Sequence, residues 1–352
     1  MSRRKLIVFA MITMTGAMLL ATALLFAADL YAHSRVERSV GVNRHGYRGS
    51  VVPSKPAGGR RAVMLGGSTV FGWDVAVDDT VPAILERMLR ERDSKTSVVN
   101  LGFIGEGAHA FLPTLQDYAY LDYDAVLLYE GYNDLAGDAR PNVDLLRHDS
   151  AVFRATGYFP ILPLYFREKA YALQFGTVDA AYDAARNESS KTVFRPGLAD
   201  RTSAAALKAA ASIAESLGKQ LDHLAAAPVT AEGAAAGECA APWTHYCKSV
   251  RAAVDFVVTQ QKSVLVILQP RLKNDRHQLH ADQQRALADL IRARYSEQLL
   301  VRLVDLSDAV DLADTRLAFD GMHLNAEGNT IIARVLAGPV SSALGLPGGQ
   351  RE

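Results

Sequence analysis

Arg61-Ala-Val-Met-Leu65, followed without a break by Gly66-Gly-Ser-Thr69, is a short apolar run that empties into a glycine turn carrying a serine. A run of this length bounded by glycine reads as a strand, and the same signature recurs downstream. Residues 97–101 are closed by Gly102, 125–129 by Gly131-Tyr-Asn-Asp134, and 263–268 by Gln269-Pro270; 299–306 forms the fifth run. These runs are nearly continuous instead of alternating, which burial on both faces of a parallel sheet requires. Between them lie helical patterns. Thr80 is placed to cap a helix whose apolar face is Val81, Ile84, Leu85, Met88 and Leu89, and 280–295 supplies another crossover. The fold class that follows is α/β, a three-layer α/β/α sandwich around a five-stranded parallel sheet. In such sheets ligands bind beyond the carboxyl ends of the strands, where Ser68, Gly102 and Asn133 fall. The last loop brings His323 to the same edge.

Working outward, the flanks and the bulk numbers bound the answer. The chain has 352 residues, 49% of them hydrophobic, so it can bury a sizeable core; its formal net charge of zero marks no surface for nucleic acid. Arg3-Arg4-Lys5 precedes an uncharged run over residues 6–28, about 23 residues, long enough to cross a hydrocarbon core of about 30 Å. Residues 1–31 are therefore expected to be a cytoplasmic stub and a signal anchor in the cytoplasmic membrane. The positive-inside rule then sends the remainder to the far side. A cleaved signal peptide is the rival reading. Residues 32–59 read as an extended connector and 60–345 as one domain, interrupted at about 136–241 by an insertion. The first half of the insertion is aromatic (Phe153, Tyr158, Phe159, Tyr165) and its second half, 202–227, is alanine-rich and helical. It reads as a cap packed over the sheet. The two cysteines, Cys239 and Cys247, are expected to pair as a disulfide in an oxidising compartment. A metal site with His245 would lack a fourth ligand, so neither a metal nor a cofactor is expected.

The chemistry rests on residues far apart in sequence. A serine hydroxyl near neutral pH needs a base within hydrogen-bond reach, and the base needs a partner that fixes its tautomer. Asp320-Gly-Met-His323 supplies both. One tight turn, eased by Gly321, can fold the carboxylate back onto one ring nitrogen while the other faces Ser68. Asn325 then caps the last helix. The oxyanion formed on attack needs donors aimed at it in advance, and three stand at strand ends: the N–H of Ser68, the N–H of Gly102 and the side-chain amide of Asn133. Taken singly, Asp-x-x-His is also a common surface pairing, Gly102 a strand-ending turn and Asn133 an Asx-turn. Other glycine-rich readings fail. Trp73-Asp74 stands where a phosphate loop needs Lys-Ser/Thr, the glycines of Gly102-Phe-Ile-Gly-Glu-Gly107 are in the wrong order for a dinucleotide fingerprint, and Val70 replaces the last glycine of G-x-S-x-G.

Together these residues resemble the SGNH hydrolase superfamily, also called GDSL esterases and lipases. The first block resembles Gly66-Gly-Ser-Thr69, with Gly67 replacing the usual acidic residue; the second resembles Asn100-Leu-Gly102, the third Gly131-Tyr-Asn-Asp134 and the fifth Asp320-Gly-Met-His323. The resemblance covers 60–135 and 260–340. It implies a flavodoxin-like sheet of order 2-1-3-4-5 and metal-free ester hydrolysis through an acyl-enzyme. Asn43-Arg-His-Gly-Tyr-Arg48 is similar to a segment that precedes the first block in some bacterial envelope members. The expected function is a serine esterase acting on O-acyl, foremost acetyl, esters of an envelope or exported glycan. Lipid ester or thioester hydrolysis and sugar O-acyl transfer use the same residues, and a non-catalytic scaffold or glycan-binding module is the reading from another class.

Overall fold

The computed structural model describes residues 2–135, 150–176 and 239–347. Its elements run α1 (Arg3–Val40), β1 (Arg60–Leu65), α2 (Ser68–Phe71), α3 (Val81–Arg90), β2 (Thr96–Asn100), α4 (Phe111–Asp117), β3 (Ala125–Leu128), α5 (Ala151–Thr156) and α6 (Leu162–Phe175). After these come α7 (Thr244–Thr259), β4 (Ser263–Leu268), α8 (His277–Tyr295), β5 (Val301–Asp305) and α9 (Ala326–Ala343). Compactness divides the chain into two units, Gly46–His148 with Ala227–Glu352, and Met1–His45 with Asp149–Ala226.

The first of these units is an α/β/α sandwich. All five strands are parallel, in the order β2-β1-β3-β4-β5. Leu65 lies opposite Leu128, and Met64 opposite Asn100, so the first three strands stop level and deliver their following loops to one edge. The apolar runs are buried as their composition demands: residues 62–65, 125–128 and 264–268 are all inside. β5 departs from this. One of the two edge strands, it is only half-covered, Leu299 stands in solvent before it begins, and the strand is shorter than the expected 299–306. Both expected caps form. Thr80 Oγ1 accepts from Ala83 N at 3.4 Å, and Asn325 Oδ1 from Glu327 N at 3.0 Å and Gly328 N at 3.1 Å. α3 packs against α9, α4 against α7, and α8 along β5. Cys239 and Cys247 are joined as a disulfide just ahead of and within α7.

The second unit holds α1, a helix of 38 residues long and apolar enough to cross a membrane. It runs nine residues past the expected end of the anchor at residue 31, because no breaker occurs before Gly41, whose left-handed φ of 79° ends it. The connector expected from residue 32 therefore starts only at Gly41. Of the expected insertion, residues 150–176 group with α1, not with the sheet. Asp29, the first charge after the apolar run, is buried, and its Oδ1 accepts from Ile161 N at 2.9 Å and Leu162 N at 2.6 Å. These N–H groups belong to the start of α6, where a helix leaves its donors unpaired. Tyr158 Oη also donates to Asp29, His33 donates to the Phe159 carbonyl, and the Tyr158 ring lies 5.3 Å from that of Phe26. The alanine-rich run 202–227 lies outside the described residues.

Candidate active site

Ser68 opens the helical turn α2 at the end of β1, so its side chain is presented at the sheet edge and its N–H, first of a helix, has no intrahelical acceptor. Ser68 Oγ lies 2.7 Å from His323 Nε2, and His323 Nδ1 lies 2.5 Å from Asp320 Oδ2. A carboxylate only accepts, so Nδ1 carries the hydrogen and Nε2 is left as the acceptor facing the hydroxyl. The turn that makes this possible has Gly321 at φ 78°, a left-handed conformation that a side chain resists. Asp320 Oδ1 closes it by accepting from Met322 N at 2.9 Å and His323 N at 2.6 Å. Partial burial alone would raise the Asp320 carboxyl, but the bonds from the His323 backbone and ring and from Met322 N outweigh it and hold the group below its ordinary value. Two exposed rings flank the imidazole, Phe319 stacked at 6.0 Å and Trp73 tilted at 6.4 Å.

The three expected oxyanion donors stand differently. Asn133 sits in the turn after β3 and its Nδ2 donates to Glu106 O at 2.9 Å, a bond that uses one of its two amide hydrogens. The Gly102 N–H is committed to Asn100 Oδ1 at 3.0 Å, the strand-ending turn that was the plain alternative for this residue. Asn100 meanwhile donates to Val70 O and Phe71 O at 2.9 and 3.3 Å, bracing the far end of α2.

Residues 64–331 match the GDSL-like Lipase/Acylhydrolase family. The chain belongs to this family. It is an ester-hydrolysing enzyme, and the resemblance read from its four sequence blocks holds. No curated protein matches it. Among solved structures it is similar to a member of the lipolytic G-D-S-L family from Veillonella parvula, at 12% identity and TM-score 0.41 over 78% of this chain and 95% of that one. It is also similar to the acetyl xylan esterase AlAXEase (13%, TM-score 0.42, 80% of this chain and 99% of that one). A third is the acetylxylan esterase Axe2 from Geobacillus stearothermophilus (14%, TM-score 0.41, 79% and 92%).

Several residues in the surroundings of Ser68 escaped sequence reasoning. Arg48, from the segment before the first block, donates to the carbonyls of Phe71 at 2.6 Å, Gly72, and Val75 at 2.5 Å, and lies 4.5 Å over the Phe71 ring. It thus satisfies the carbonyls left open at the end of α2. Gln269 bridges two loops, donating to Thr69 Oγ1 at 3.1 Å and accepting from Tyr132 N at 3.2 Å. Glu130 is buried two residues after β3, where burial and the neighbouring Asp134 push its carboxyl up while three backbone N–H bonds favour the ionised form. Burial likewise raises Asp134 to about 6, opposed by the Ala108 N–H at 2.9 Å. The one signal available beforehand was a carboxylate ending an apolar strand, which must find donors somewhere. Among the described residues no group of three or more His, Cys, Asp or Glu side chains is placed to hold a metal ion.

Proposed function

We propose that this chain is a membrane-anchored serine esterase that removes small O-acyl groups, foremost acetyl, from a glycan outside the cytoplasm. Ser68 attacks the ester carbonyl and His323 Nε2 passes the hydroxyl proton to the departing alcohol; water, giving its proton to the same Nε2, then attacks the acyl-serine, and that proton returns to Ser68 Oγ as the acid leaves, while Asp320 fixes the tautomer. The Ser68 N–H and the second hydrogen of the Asn133 amide stabilise the oxyanion; Gly102 N–H joins them only on releasing Asn100. The observation that carries the reading is the unbroken series of short hydrogen bonds from Ser68 Oγ through His323 to Asp320. Support for a sugar alcohol comes from the exposed rings of Trp73 and Phe319 beside His323, which can lie against the apolar face of a pyranose. Support for a retained anchor comes from the uncharged run over residues 6–28, which is long for the apolar core of a signal peptide. The cations Arg3, Arg4 and Lys5 favour a cytoplasmic amino terminus. A second reading, lipid ester hydrolysis, is favoured by the same rings together with tethering to the bilayer.

A fluorophosphonate probe tests the assignment. The full-length protein should form an adduct that Ser68→Ala abolishes; an unlabelled wild type, or a labelled Ser68→Ala, removes it. A panel of p-nitrophenyl esters graded by chain length separates the two readings: preference for acetate supports the first, preference for long chains the second.

A further inference from the structure

Glu130, two residues beyond β3, places a carboxylate inside the protein, a position that is costly unless donors surround it. Three backbone N–H groups do. Gly67 N donates to Oε2 at 2.5 Å, while Gly131 N and Asn133 N both donate to Oε1 at 2.9 Å. Two of these peptides flank the proposed chemistry from different strands: Gly67 immediately precedes Ser68, and Asn133 carries the amide aimed at the oxyanion. The space is filled so closely that a Cβ built on Gly67 would overlap the Asn133 amide nitrogen and stand 2.5 Å from Glu130 Oε2 and 2.9 Å from Glu106 O. The Glu130 carbonyl is itself held by Tyr246 Oη at 2.8 Å, so the residue is fixed at both ends.

We infer that Glu130 is a positioning residue whose carboxylate ties the peptide before Ser68 to the Asn133 turn, setting the oxyanion donors in place before substrate arrives. The inference rests on the roles given above to Ser68 and Asn133. Three donors converge on one side chain, and only a group that accepts at both oxygens satisfies all of them. Glutamine has nearly the same shape but offers one acceptor, so its NH2 must oppose an N–H of Gly67 or of Gly131 and Asn133. One loop then loses its register while the packing stays.

The test compares full-length wild type, Glu130→Gln, Gly67→Ala and Ser68→Ala in detergent micelles, following p-nitrophenyl acetate hydrolysis and thermal unfolding. Glu130→Gln should fold and should lower kcat by about 10- to 100-fold, short of or equal to the loss of one oxyanion donor, with KM within about two-fold. Phosphonate labelling of Ser68 should slow by a similar factor. Gly67→Ala should lower kcat in the same way, because its methyl group competes for the space of the Asn133 amide. A folded Glu130→Gln with wild-type kcat overturns the inference, as does a variant that changes KM alone. Should Glu130→Gln fail to fold, Gly67→Ala decides: wild-type kcat there overturns the inference, and a selective kcat loss supports it. A wild type with no activity removable by Ser68→Ala places the failure in the assignment of Ser68, not in Glu130.

Discussion

Asparagine at position 320 tests the tautomer argument with almost no change in volume. Oδ1 of Asp320 accepts from Met322 N and His323 N, and the asparagine carbonyl can keep both bonds, so the turn at Gly321 survives. Its NH2 then replaces Oδ2, which lies 2.5 Å from His323 Nδ1. Two donors cannot face each other at that distance. Nδ1 must give up its hydrogen, the hydrogen moves to Nε2, and the ring now points an N–H at Ser68 Oγ, 2.7 Å away, and can no longer accept its proton. In the Ser-His-Asp proteases, where the aspartate is buried, the same exchange costs about 10⁴ in kcat. Here the Asp320 side chain is 43% exposed, so water competes for the ring nitrogen and the penalty for the wrong tautomer is smaller. We expect a fall in kcat of about 10³, close to 4 kcal/mol of transition-state stabilisation. The assay is p-nitrophenyl acetate hydrolysis by the full-length protein, with thermal unfolding as control. An Asp320→Asn variant that keeps more than a tenth of wild-type kcat at an unchanged Tm would refute the reasoning. Because the carboxyl is held below its ordinary value, its contribution is present above that value and lost only as pH falls through the lowered one. Asp320 therefore does not set the acid limb of activity at pH 5 and above.

Asn133→Ala should lower kcat by about 10² with little change in Tm, since its backbone N–H keeps Glu130 while the side-chain donor is removed; wild-type turnover would mean the amide has no part in the chemistry.

The strands were legible because burial on both faces leaves little choice of residue: 263–268 is read to the residue, and the other inner strands to within one at either end. Caps were legible for a similar reason, since Thr80 and Asn325 act on N–H groups two or three positions ahead and the whole device lies in one short string. Polarity misled the reading of residues 32–40, where nothing breaks a helix before Gly41 and where His33, like Asp29 before it, is also bonded to residues beyond 157. What stayed hidden is long-range pairing of polar groups: neither Arg48 with the carbonyls of α2 nor Gln269 with Thr69 leaves a periodic trace. Gly67 shows the limit most sharply. Along the chain it is an acidic residue missing from the first block. In space, the carboxylate on its N–H comes from Glu130, 63 positions on, and fills the volume that a side chain at 67 would need. Glycine at one position and glutamate at the other are thus a single solution to one packing problem. An acidic side chain restored at 67 while Glu130 remains would set two carboxylates in a space built for one.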